Sequence, residues 1–375
     1  MLFYHINHSY LHSMKICIVT EYLSYIGGGE RVYCNWANMF ADILGHDVTI
    51  VSMEDWDKPF FPLSNKVKIH SLKLRRARFY DKPIARRLSM ITNFINDRIV
   101  IKKYLIHHNY DVVLGIATNI NLLLATISIS GIRIATEHTE YFAPNILLRK
   151  LRQLLYPRFN VITVLNYDDQ GEFLKCNIPT RVMLNPVDLS IPIYPNVPNK
   201  TIISIGSLST QKNQKQLLDI MKIVHSKHPD WMLKIYGQGP LLSELIQYAN
   251  NIGVQRCVRF EGATNDVYRE LSNASIFALT SIVEGLGLVI IEAMHAGVPC
   301  VCFDARGPKM IIDNGENGYL IPMGDIDNFA NMICKLIEDE HLRQSIGDKG
   351  QRSVSKYNIQ TVASDWKNLF DNVLY

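Results

Sequence analysis

The chain has 375 residues, more than one hydrophobic core commonly holds, so two domains are expected. A hydrophobic content of 47% excludes an intrinsically disordered chain, and no run of eighteen charge-free, strongly apolar residues marks a membrane span. The net charge is only +4, and no nucleic-acid-binding motif or interleaved aromatic pattern accompanies the bases, so nucleic acid is not an expected partner.

Residues Met1 to Ser13 lack the basic start and small-residue cleavage site of a secretory signal. They read either as a disordered extension or as a mis-assigned start, with translation beginning at Met14. The seven cysteines have no metal-ligand spacing, and Cys300 and Cys302 alternate along one apolar run as small buried hydrophobes do. Unpatterned thiols and no secretory signal together predict a cytoplasmic protein.

From Met14 onward the pattern alternates. Short β-branched runs at Ile16 to Thr20, Asp47 to Ser52, Val112 to Gly115, Arg133 to Thr136 and Val161 to Leu165 are separated by helical stretches, which predicts a parallel sheet. Val112 to Ile132 carries Thr118, Asn119 and Asn121 and reads as strand–helix–strand. Between Lys66 and Lys103, Ile84, Leu88, Ile91, Ile95 and Ile99 recur every three or four residues beside Arg75, Arg76, Arg78, Arg86 and Arg87. Such a basic amphipathic helix either docks on an anionic bilayer, at the inner face of the cytoplasmic membrane, or turns its stripe to the core and solvates its bases. The charge is uneven: residues up to Asn185 sum to +7 and those from Pro186 to −3.

Pro186, Pro192, Pro195 and Pro198 predict a linker over 186–200. A second alternating set follows: Ile202 to Ile205, Met232 to Tyr236, Val258 to Phe260, Ile276 to Leu279, Pro299 to Phe303 and Gly318 to Ile321. Thr361 to Leu374 places Val362, Trp366, Leu369, Phe370 and Val373 at helical spacing. The expected division is an N-terminal domain over 14–185, a C-terminal domain over 201–357 and a terminal helix over 358–375, each domain a doubly wound α/β sheet.

The densest signal runs from Glu284 to Pro299. A strand ends in Thr280-Ser281, a turn contains Gly285 and Gly287, and a helix follows that Gly297 and Pro299 terminate. A helix starting at a glycine turn offers backbone N–H groups and a positive dipole end to an anion. Glu284 and Glu292 flank that turn, and carboxylates accept well from paired hydroxyls. A lone Gly-x-Gly is weak evidence, and two glutamates can be a cap and a solvated acid. The combination suits an anionic centre between polyols, as in a nucleotide-sugar.

The whole run resembles the E-x7-E signature of glycosyltransferase family 4, retaining enzymes of the GT-B fold that include builders of bacterial surface polysaccharide. Gly206-Ser207-Leu208-Ser209-Thr210-Gln211-Lys212-Asn213 resembles the family's G-R-L-x-x-x-K loop, and Gly237-Gln238-Gly239-Pro240 its G-x-G-P turn. Val258-Arg259-Phe260-Glu261-Gly262, Phe303-Asp304 with Gly307-Pro308, and Asn317 to Pro322 fall in the family's order. Gly27-Gly28-Gly29-Glu30-Arg31 resembles its N-terminal loop. The resemblance runs from about Met14 to the C-terminus, dense after Ile202 and sparse between Lys58 and Ala135.

That resemblance implies two Rossmann-like domains facing across a cleft, with the terminal helix returning to the first domain; alternatively that helix caps its own domain. It implies transfer of a hexose or N-acetylhexosamine from a nucleotide-sugar, expected to be UDP-linked, to a saccharide or lipid-linked saccharide in O-antigen, capsule or lipopolysaccharide assembly. A GT-B nucleotide-sugar epimerase and a non-catalytic partner protein are the other classes the fold hosts. No metal or other cofactor is expected. Glu284 would meet the donor sugar and Glu292 the ribose. Gly206, Lys212, Gly237, Gly28, Gly29 and the turn from Gly285 through Leu286 and Gly287 to Leu288 would hold the diphosphate region, and Arg259 and Phe260 the base. His138 would lie beside the transferring sugar, with Glu137 as its neighbour and an ordinary structural role as the alternative. The sequence departs from the family at Ser207, where an arginine is usual, and at Met310, where many relatives have an acid; Arg306 or Lys309 are the bases placed to compensate at Ser207.

Overall fold

The computed structural model describes residues 13–23, 28–54, 59, 61–74, 83–139, 141–189 and 199–374. Almost all of the N-terminal extension, Arg75, Arg76 and Arg78, and Pro192, Pro195 and Pro198 of the proline-rich segment lie outside the described residues. So do the side chains of Ile84, Arg86, Arg87, Leu88 and Ile91. The chain forms two compact units, one comprising residues up to Pro186 together with Ala363 onward, the other Val187–Val362.

The first unit contains β1 (Lys15–Thr20), α1 (Gly28–Asn38), β2 (Asp47–Ser52), β3 (Lys68–Ser71), α2 (Pro83–His108), β4 (Val112–Ile116) and α3 (Ala117–Ala125). It continues through β5 (Ile132–Thr136), α4 (Ile146–Leu155), β6 (Val161–Val164), α5 (Tyr167–Lys175) and β7 (Thr180–Val182). The strands form one parallel sheet in the order β3-β2-β1-β4-β5-β6-β7. β1 and β4 are almost fully buried because helices cover both faces of a parallel sheet. Along α2, Ile101 and Leu105 point to the core, whereas Ile95 and Ile99 are exposed, so these two members of the apolar stripe face outward.

The second unit contains β8 (Thr201–Ile205), α6 (Gln214–Lys227), β9 (Met232–Tyr236), α7 (Leu242–Asn251), β10 (Val258–Gly262), α8 (Val267–Ser272) and β11 (Ile276–Leu279). After these come α9 (Leu288–His295), β12 (Cys300–Phe303), α10 (Arg306–Ile311), β13 (Tyr319–Ile321), α11 (Ile326–Glu338) and α12 (Glu340–Ser353). Its parallel sheet has the order β10-β9-β8-β11-β12-β13. Cys300 and Cys302 are free thiols buried on β12, and burial pushes both upward in pKa.

The last helix, α13 (Ile359–Leu374), begins in the second unit and joins the first from Ala363. Its buried Trp366 and Phe370 stack edge-on against Trp36 and Phe40, with centroid separations of 5.2 Å for the tryptophans and 5.4 Å for the phenylalanines. Burial of large aromatic area, rather than helix propensity, holds this return. Among the described residues no helix is long and apolar enough to cross a membrane.

Candidate active site

In each sheet the strand order reverses direction at one point, β8/β11 in the second unit and β1/β4 in the first. The loops leaving the C-terminal ends of such neighbouring strands diverge to opposite faces and leave a crevice where ligands bind. In the second unit those loops carry Gly206 to Asn213 and Thr280 to Gly287.

The two loops are tied together. Ile282 N donates to Gln211 O at 2.8 Å, and Thr280 Oγ1 lies 3.2 Å from Lys212 O and 3.1 Å from Asn213 O. Lys212 Nζ donates to Glu284 Oε2, joining residues 72 apart in sequence. Their side chains are 20% and 12% exposed, so the pair sits at the surface of the crevice with little surrounding water. Ser281 Oγ, three residues before Glu284, is buried without a hydrogen-bond partner among the described residues.

Glycines allow this closeness at two places. Gly237 has φ +142°, and a Cβ there would lie 1.9 Å from Gly206 O, so a side chain would drive apart the loops after β8 and β9. Gly287, at φ +78°, is the N-cap of α9. Leu286 is buried and pins the turn, while Gly285 faces solvent. Leu288 opens α9, so the helix aims its positive dipole end at this turn. At the other end Gly297, φ +73°, ends the helix, with Val298 N donating to Ala293 O at 2.9 Å. Glu292 lies at the fifth position of α9 and is 1% exposed. Gly307 N donates to Glu284 O at 3.2 Å, which brings the start of α10, and with it Arg306, to the same turn.

Ser207 is exposed, and its hydroxyl lies 3.3 Å from Ser209 Oγ. Lys309 is ion-paired with Asp304 at 3.0 Å. Arg259 is exposed on the edge strand β10, and Phe260 packs partly against the core. Gly237 N donates to Gly262 O at 2.7 Å, joining the end of β10 to the turn after β9.

In the first unit α1 starts at Gly28 and Gly29, and a Cβ at Gly29 would meet nothing within 4 Å. Trp36, two turns along α1, packs edge-on against His138 with centroids 5.2 Å apart. His138 therefore joins the α1 segment, just beyond the end of β5. The imidazole Nε2 is buried with no partner among the described residues, and burial pushes His138 down to about 4, so the ring is neutral at physiological pH.

Glu137 is not the partner of His138 that adjacency suggests. Its fully buried carboxylate accepts from Thr118 Oγ1 at 2.8 Å, from Asn121 Nδ2 at 2.8 Å and from Tyr156 Oη, with Arg152 Nη2 at 3.9 Å. Tyr156 is held protonated by burial and by the Glu137 charge, which keeps it a donor. These four partners come from α3, α4 and the turn after it, and no local sequence pattern marks them. At the β4/α3 junction Ala117 takes φ +69°, a costly conformation for a residue with a Cβ and one that clusters at functional turns. Among the described residues no cluster of three or more His, Cys, Asp or Glu could hold a metal.

Residues 26–191 match the family described as Glycosyltransferase Family 4, and residues 193–353 that described as Glycosyl transferases group 1. An uncharacterized glycosyltransferase of Haemophilus influenzae is 30% identical over 92% of this chain and 96% of its own length. The chain belongs to the family 4 glycosyltransferases. A second relative of this glycosyltransferase is a Campylobacter jejuni enzyme named as a GalNAc-alpha-(1->4)-GalNAc-alpha-(1->3)-diNAcBac-PP-undecaprenol alpha-1,4-N-acetyl-D-galactosaminyltransferase. It is 26% identical over 96% of this chain and 99% of its own. The crystal structure of Anabaena HepE in complex with UDP and glucose superposes with a TM-score of 0.76 at 19% identity, covering 96% of this chain and 99% of that one. The likeness establishes the GT-B fold of this transferase.

Proposed function

We propose that this glycosyltransferase moves a hexose or N-acetylhexosamine from a UDP-sugar, with retention of anomeric configuration, onto a saccharide carried on a polyprenyl diphosphate during bacterial surface-glycan assembly. The observation that carries the reading is the Lys212–Glu284 pair at the β8/β11 crevice: one cation for a diphosphate and one carboxylate for sugar hydroxyls, on two loops bonded to each other. Relatives named for transfer to undecaprenyl-linked glycans support the acceptor class.

In this reading Arg259 and Phe260 meet the base and Glu292 the ribose. Lys212, Arg306 and the amides from Gly285 to Leu288 hold the diphosphate. Among the described residues no side chain is poised as a covalent nucleophile. Departure and attack then occur on the same face of the sugar, and a leaving phosphate oxygen takes the acceptor's proton. Catalysis is chiefly positioning and stabilisation of the departing charge. Neutral His138 hydrogen-bonds the transferring sugar or the oxygen it receives. No metal is required, because protein cations and amides offset the diphosphate charge. The protein works in the cytoplasm, peripheral on the inner face of the membrane, in keeping with the +7 charge of residues up to Asn185.

The test is incubation with UDP-glucose, UDP-galactose, UDP-GlcNAc and UDP-GalNAc and polyprenyl-diphosphate-linked saccharides, with and without EDTA. Transfer with an α-linked product, unaffected by EDTA, is expected. An inverted product refutes retention, loss of activity restored by Mg²⁺ or Mn²⁺ refutes the metal-free site, and epimerised UDP-sugar without transfer refutes the reaction class.

A further inference from the structure

Helix α4 is apolar on two sides: Leu148 and Leu155 pack against the core, and a second apolar face looks to water. Its water-facing positions include Ile146, Leu147 and Leu154, which are 65%, 70% and 69% exposed, with Leu151 at 36%. Its inward face carries Arg152, which is 1% exposed. At 100° per residue the outward arc runs through Gln153, Ile146, Lys150, Leu154, Leu147 and Leu151, four of them large and apolar. Phe142, on the loop before the helix, adds a ring that is 56% exposed.

This outward apolar face is held firmly. Asn145 caps the helix, its side chain accepting from Leu148 N at 2.9 Å. Arg152 stacks over Phe173 at 4.8 Å and donates to Tyr141 O at 3.3 Å. Rotating α4 to hide its leucines would pull this guanidinium from its aromatic cage and from beside Glu137. The exposed face is thus the cost of a buried arginine, and such a face on water calls for a partner.

Charge identifies the partner. Residues 141–158 contain Arg149, Lys150, Arg152 and Arg158 and no acid. A cleft of about 360 Å³ opens beside the apolar face, lined by Phe142, Ile146, Arg149, Lys150, Lys175 and Glu172 among others. Its single acid, Glu172, is already paired with Lys175 at 2.6 Å. Arg149 lies over the Phe142 ring at 5.5 Å, placing a cation at the border of the apolar patch. Leucines and a phenylalanine flanked by uncompensated bases match a bilayer interface, where acyl chains take the apolar face and anionic headgroups the cations.

We propose that α4, with Phe142, docks the first domain on an anionic lipid bilayer, the cleft bases meeting headgroup phosphates. The inference rests on the reading of a transferase that works at a lipid surface, and it moves the contact from the basic segment over 66–103 to a different element.

The experiment is co-sedimentation of the full chain with phosphatidylglycerol/phosphatidylcholine vesicles and with phosphatidylcholine vesicles, at low and high salt. The variants are Leu147→Ser/Leu151→Ser/Leu154→Ser, Lys150→Glu and Ile95→Ser/Ile99→Ser; UDP affinity is measured on each by calorimetry. Expected is binding to the anionic vesicles that weakens with salt, at least a tenfold loss in the leucine variant, a smaller loss in Lys150→Glu, little change in the α2 variant, and UDP affinity unchanged throughout. Equal sedimentation of wild type and leucine variant overturns the proposal, as does release by the α2 variant alone. A wild-type dimer that the leucine variant dissolves, with no vesicle binding, makes the occupant a second copy and also overturns it. Failure of the transferase reading registers separately, as absence of UDP binding in the wild type.

Discussion

Lys212 and Glu284 are partners across the crevice, and this makes opposite predictions for the two residues. A diphosphate that uses Lys212 must share it with, or take it from, the Glu284 carboxylate. Lys212→Ala removes a charge-assisted hydrogen bond worth about 1.5–3 kcal/mol and leaves Glu284 facing the phosphates unneutralised. UDP affinity should fall by roughly ten- to a hundredfold or more. Glu284→Gln keeps the shape, removes the competitor and lessens repulsion of the diphosphate. UDP, which has no sugar for Glu284 to hold, should therefore bind as well as to wild type or more tightly. Transfer should nevertheless drop, because the carboxylate that orients the donor sugar is gone. Calorimetry with UDP, alongside single-turnover transfer from the preferred UDP-sugar, reads both effects. In the double variant the Glu284→Gln gain should vanish, since there is no cation left to release. If Glu284→Gln weakens UDP binding as much as Lys212→Ala does, the pair is a structural clasp and the competition argument fails.

Three further outcomes are expected. Glu292→Ala should weaken UDP by roughly 2–4 kcal/mol through two lost carboxylate hydrogen bonds; unchanged affinity in a folded variant contradicts the ribose assignment. His138 is held down to about 4 by burial, below the unfolded value near 6.5, so the unfolded chain takes up its proton first and stability is lost as pH falls from about 6.5 toward 4. At full loss the term is about 3 kcal/mol, and urea unfolding at pH 7 and pH 4.5 should show a smaller pH dependence in His138→Gln than in wild type. Arg306→Ala should weaken UDP, and Ser207→Arg should weaken it too by setting a second cation beside the first. Wild-type affinity in Arg306→Ala together with tighter binding in Ser207→Arg would mean that the clamp at Ser207 is vacant rather than replaced.

Much of the architecture was legible because parallel strands buried on both faces are written as unbroken apolar runs. β2, β9 and β11 lie at the limits read from the sequence, Asp47–Ser52, Met232–Tyr236 and Ile276–Leu279. β3 (Lys68–Ser71) and β7 (Thr180–Val182) escaped that reading, since they are the two edges of their sheet and a half-exposed strand needs no apolar run. The run from Ile276 to Pro299 was legible as strand, turn and helix because glycine and proline constrain the backbone locally, whatever surrounds them. What the sequence determined by itself was therefore the alternation of elements, the glycine turns and the family. Tertiary structure alone decided which side chains meet. It paired Lys212 with Glu284 across 72 residues, surrounded Glu137 with Thr118, Asn121, Arg152 and Tyr156 instead of His138, and turned Leu147, Leu151 and Leu154 of α4 toward water. Local periodicity records that a helix has an apolar face, but the direction that face takes is set by the strongest interior contact, here a buried arginine, and that contact is made by residues distant in the chain.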